Sequence, residues 1–197
     1  WGEGESAAAS RPERVSLSLD RVSYEPGQMA TVTVASPFAG TMLLTLEVDH
    51  VLSTIVREVP AKAVQVEVPI PASLRGGAYV AASVVRPLDA TRERWLPLCA
   101  KGLVHLATDH AAQRLAMQVE LPSQAAPGEH VRVRVQTPPL AAPSPAGEVH
   151  LWAVDDGVLQ ATAYAKPDPH AAFLGRRRLS VSTEDSYRDL LPDYKRP

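Results

Sequence analysis

One cysteine, Cys99, stands alone in the 197 residues, so no internal disulfide is available and the fold draws nothing from an oxidising compartment. Aromatic residues make up only 5% of the chain, so its core has to be built from Val, Leu and Ala. No apolar run reaches the roughly 18 residues of a membrane-crossing helix. A net charge of −2 offers no basic surface for nucleic acid or an anionic membrane. The chain opens on Trp1 rather than Met and carries no signal peptide, which reads as an excerpt of a longer protein.

What the chain does have is proline, 18 residues of it, and apolar residues at every second position. Residues 1–13 are small and polar and read as a linker. In "RVSLSLDRVSYEPGQMATVTV", Val15, Leu17 and Leu19 fall on one face, and after the turn Ala30, Val32 and Val34 do the same. Period two is the pattern of a half-buried strand. Pro26-Gly27 suits the centre of a type II turn, Pro presetting the first φ and Gly accepting a positive second one.

Further strands are predicted over 41–48, 51–59, 63–69 and 76–85, with Asp49-His50 and Gly76-Gly77 as turn signals. No stretch of this half shows a capped 3.6 period. Residues 87–98, "PLDATRERWLPL", break the alternation and read as a connection.

Alternation resumes in "GLVHLAT", in "RLAMQVEL" with Leu115, Met117, Val119 and Leu121 aligned, in "HVRVRVQ", in "EVHLWAV" and in "GVLQATA". "YEPGQMATVTV" and "AAPGEHVRVRV" can be laid side by side. Their Pro-Gly turns lie roughly a hundred residues apart, about one β-sandwich domain. The expectation is all-β, two tandem antiparallel sandwiches over 14–90 and 91–197. The second is short of strands, so either the tail from 166 supplies edge strands or the domain finishes beyond Pro197.

Chemical candidates are sparse. Asp155 and Asp156 are adjacent, and in a strand their carboxylates would point to opposite faces, whereas acid/base pairs and metal sites need convergence. Asp-Asp-Gly reads better as a strand end, with Gly157 free to take positive φ. His50, His105, His110, His130, His150 and His170 are scattered without the paired spacing of a zinc site, so no metal is expected. No G-x-S-x-G elbow or phosphate loop occurs. Cys99 has Lys101 two residues on, but a lone Cys among apolar residues reads as a small buried hydrophobe. Arg176, Arg177 and Arg178 are the one sharp charge feature. They read as a solvated face, or as an exposed loop that proteases specific for basic residues would cleave.

The segment "AVDDGVLQATAYAKPDPHAAFLGRRRLSVSTEDSYRDLLPD" resembles a signature of bacterial alpha-2-macroglobulins. The matching parts are Ala153 to Leu159, Tyr164 to Pro169 (with Pro167, Asp168 and Pro169), Phe173, Gly175 to Arg178, and Asp185 to Tyr187. "VSLSLDRVSYEPGQMATVTVASPFAGTMLLTLE" is similar to the family's preceding macroglobulin-like domain. The resemblance runs from about Arg14 onward. It implies a string of macroglobulin-like β-sandwiches and a non-catalytic part in inhibiting endopeptidases. A protease cuts an exposed bait, and the inhibitor then changes conformation and encloses it. It implies no cofactor. Implied partners are endopeptidases, the neighbouring macroglobulin-like and thioester domains of the same chain, and a peptidoglycan synthase. The implied location is the periplasm, through a lipidated N-terminus outside this stretch. Cys99 is followed by Ala100, Lys101 and Gly102, so it is not the Cys-x-x-Gln thioester cysteine. Arg176 to Arg178 match a basic position of the family, so they are partly framework, and the bait lies in the tail or just after it. Two further readings are a structural or adhesive tandem in the cell envelope and an enzyme built on Asp155 and Asp156.

Overall fold

The computed structural model describes residues 13–87, 99–139, 148–165 and 167–186. They belong to two compact units, one within Trp1–Asp109 and Ala171–Pro197 and the other within His110–His170.

The first unit is a β-sandwich. One sheet has three strands in the order β1 (Ser16–Leu19), β2 (Met29–Ala35), β5 (Ala63–Pro69). The other has four, in the order β4 (Val51–Val59), β3 (Gly40–Glu47), β6 (Ala78–Val85), β7 (Cys99–Leu106). Every pairing is antiparallel. The alternation read from the sequence selects the inner faces. Ala30, Val32, Val34 and Val68 from one sheet, and Met42, Leu46, Val80 and Val84 from the other, are completely buried in a single core. Pro26-Gly27 closes the expected turn, with Gly27 at φ +93° and the Gln28 amide donating to the Glu25 carbonyl at 3.1 Å.

β7 lies beyond the joint read near residue 90, yet it belongs to this sandwich. It pairs with β6 along its whole length, from Ala78↔Leu106 to Val85↔Cys99. Its other edge meets the chain just before β1, where the Val15 amide donates to the Lys101 carbonyl at 3.0 Å and the Lys101 amide to the Glu13 carbonyl at 2.9 Å. It therefore ties the two sheets together along one side. The unit runs to Asp109, and residues 88–98 of the expected connection lie outside the described residues. Local sequence marks such a break but not which strand the next one pairs with.

In the second unit, β8 (Gln118–Glu120) pairs antiparallel with β9 (Arg134–Gln136). Their Pro127-Gly128 turn has the same form as the first, with Gly128 at φ +85° and the Glu129 amide on the Ala126 carbonyl at 3.1 Å. Helix α1 (Asp156–Thr162) follows, and α2 (Pro169–Leu174) carries the chain back into the first unit. Two expected strands differ here. Residues 148–154 have no β-partner among the described residues, and "GVLQATA" is largely helix α1. A strand needs a neighbour for its amides, and alternation alone does not supply one. Among the described residues, none of the core residues comes from this unit. Leu115, Met117, Val119 and Leu121 do alternate as expected, but all four are exposed.

Candidate functional site

The paired acids open a helix rather than close a strand. Asp155 is the N-cap of α1, its carboxylate accepting from the Gly157 amide at 2.8 Å. Asp156 sits in the first turn, where a negative charge suits the helix dipole, and accepts from Gln160 Nε2 at 2.6 Å. Gly157 is helical and is not among the glycines with positive φ, which corrects the turn assigned to it. The carboxylates take separate donors and share none. Among the described residues no three His, Cys, Asp or Glu side chains converge as a metal site would require.

Pro167 precedes Asp168, whose carboxylate lies 3.7 Å from Arg114 on the surface, and Pro169 is the first residue of α2, where its missing amide costs nothing. Cys99 starts β7 and is partly buried. Burial pushes its thiol up, Lys101 opposes this, and Asp185 adds to it, which favours the protonated thiol.

The tri-arginine stretch is held by several contacts among the described residues. It lies in a segment, 175–185, held across the outer face of the four-stranded sheet. The Arg177 amide donates to the Gly76 carbonyl at 3.4 Å, and its carbonyl accepts from the Tyr79 hydroxyl at 2.9 Å. Arg176 Nε donates to the same hydroxyl at 3.1 Å, and its guanidinium stands 5.4 Å from the Tyr79 ring centre. Farther on, the Ser180 amide donates to the Val48 carbonyl at 3.0 Å, and Lys101 pairs with Asp185.

Gly76 makes the close approach workable. It has φ +75°, and a Cβ there would stand 2.4 Å from the Gly175 carbonyl oxygen. The sheet responds to this covering. The in-out alternation of β3 gives way to continuous burial from Leu44 to Val48, and Tyr79 is only 8% exposed although it points away from the core. A groove remains between Ala81, Ser83 and Leu103 of the sheet and Leu179, Val181 and Thr183 of the segment. The arginine side chains are themselves exposed. The sequence pointed to the arginines but not to their partner Tyr79. The available signal was the Gly76-Gly77 pair beside an aromatic in a strand otherwise of Ala, Val and one Ser.

The family description "Alpha-2-macroglobulin bait region domain" matches residues 15–161. The chain belongs to the alpha-2-macroglobulin family. It is 32% identical over 197 residues to an alpha-2-macroglobulin of Xylella fastidiosa strain 9a5c, covering 99% of this chain and 12% of that protein. It is 31% identical over 190 residues to the alpha-2-macroglobulin of Escherichia coli K12, covering 95% and 11%. A crystal structure of a Salmonella alpha-2-macroglobulin mutant superposes with a TM-score of 0.56 at 34% identity, over 86% of this chain and 11% of that one. Trypsin-activated alpha-2-macroglobulin of Escherichia coli superposes at 0.55 with 29% identity, again over 86% and 11%. The antiparallel β architecture is thus that of macroglobulin-like domains. The chain spans about an eighth of the length of the alpha-2-macroglobulins it matches.

Proposed function

We propose that this chain is the non-catalytic, bait-proximal portion of a broad-spectrum endopeptidase inhibitor. In this reading the parent traps a protease after the bait is cut, and it works in the periplasm. The supporting observation is the bait-region match, which covers the sandwich and reaches Ala161. A rigid sandwich beside a cleavable stretch is a suitable part, because cutting a connection frees elements held by it.

The arginines are a candidate cut site with a physical condition. Both backbone groups of Arg177 are bonded to the sandwich, so a protease requiring an extended strand gains Arg176–Arg178 only when the segment lifts. The test is to expose the parent protein to several proteases of unrelated specificity and map the first cut by mass spectrometry. The expected result is one segment after Tyr164 cut first by all of them. The proteases should then lose activity on large protein substrates while keeping it on short peptides that diffuse into an enclosed site. First cuts scattered along the chain with undiminished proteolysis of large substrates would refute trapping. Uniform resistance after Tyr164 would favour the adhesive alternative.

A further inference from the structure

We propose that the segment Gly175–Asp185 is an acid-released strap, its closure controlled by the protonation of His105. The basis is a row of side chains across the sheet. Glu47 of β3 pairs in register with Tyr79 of β6, and Tyr79 with His105 of β7, so the three stand side by side on the outer face. The Tyr79 and His105 rings meet edge to face with centres 5.0 Å apart. Arg176 of the strap lies over Tyr79, and its charge acts on His105.

His105 Nε2 is buried with no hydrogen-bond partner among the described residues. It lies against the backbone of Gly77, where a Cβ would come within 3.0 Å of it. A second proton on this ring would place a positive charge close to Arg176 and leave a charged N–H donor without an acceptor. Lifting the strap removes Arg176 and its charge from beside the row. The carboxylates near the row are already engaged. The Glu47 carboxylate is buried and accepts from Thr45 Oγ1, and Asp185 is paired with Lys101. Arg177 and Arg178, the next residues of the strap at this end, are further cations.

Burial, and then Arg176, hold His105 below its ordinary value of 6.5 when the strap is closed. A histidine depressed in the closed state stabilises closure fully above its value in the open state. That stabilisation is lost as pH falls below about 6.5 toward the depressed value.

The test is hydrogen exchange at the amides of 177–181 in the 197-residue chain, corrected for intrinsic rates, between pH 7.5 and 5.5. Protection is expected to fall several-fold in the wild-type chain, as His105 takes up a proton more readily in the open state than in the closed one. In H105Q it should stay nearly flat across this range, and in R176Q the fall should shrink. Amides of β2 and β5 should remain protected in both variants, and if H105Q loses them, R176Q alone decides. An unchanged wild-type protection, or an acid response in the deciding variant as large as that of wild type, overturns the proposal.

Discussion

Tyr24→Ala is expected to lower the unfolding free energy of the sandwich by about 3–5 kcal/mol, the range for removing a large buried aromatic. Tyr24 is 1% exposed and is tied to the far end of the chain segment that closes the unit. Its amide donates to the Ala107 carbonyl at 3.0 Å, and its carbonyl accepts from the Asp109 amide at 2.8 Å. The ring fills the core beside these bonds, so its removal leaves a cavity that backbone fixed on both sides cannot easily close. Urea unfolding should show a lower midpoint with the slope unchanged.

The hydroxyl adds a separate, pH-dependent part. It donates to Asp20 Oδ1 at 2.6 Å, and the same oxygen accepts from the Thr31 amide at 2.9 Å. The Tyr24 hydroxyl is the first cause holding the Asp20 carboxyl below its ordinary 3.8. A depressed carboxyl contributes stability present above its unfolded value and lost as pH falls through the folded one. Tyr24→Phe should therefore unfold more easily than wild type near neutral pH, though less so than Tyr24→Ala, and should lose less additional stability on acidification below about pH 4.

The second large effect concerns where the domain ends. A chain of residues 13–109 should unfold cooperatively in urea, and a chain of residues 13–90 should show no cooperative transition. The shorter chain lacks β7, and with it the buried Ala100 and Leu106 and the entire β6 edge. Burying one Leu side chain is worth about 1.5–3 kcal/mol, and each ladder hydrogen bond about 1 kcal/mol. Together these are comparable to the whole stability of a domain, about 5–15 kcal/mol. Equal cooperativity in the two chains would show that β7 is dispensable.

The contrast between β7 and β8–β9 explains what the sequence could tell. Alternation in Ala30–Val34 and Met42–Val48 correctly identified the inner faces, because each face has a partner sheet within the same hundred residues. The alternation in Leu115–Leu121 is as regular, yet those side chains are exposed. Period two says which residues face together, not what covers them. Pro-Gly turns were legible at Gly27 and Gly128 because their cause is local, a fixed φ followed by a positive one.

Helix α1 was misread because Val158, Leu159 and Ala161 suit a strand or a helix in so short a run, and the cap on Asp155 decided it. The strap was illegible for another reason. Arg176 and Tyr79 are almost a hundred positions apart, and nothing local to either announces the other.

Hydrogen exchange across the whole chain tests most directly whether the core seen among the described residues, that of the first unit, is the stable body. Amides of β2, β3, β5, β6 and β7 should share one high protection and be lost together on adding denaturant. Amides of 114–121 and 148–154 should exchange orders of magnitude faster. Protection of those two stretches equal to that of β3 and β6 would contradict this, and would mean a second core exists.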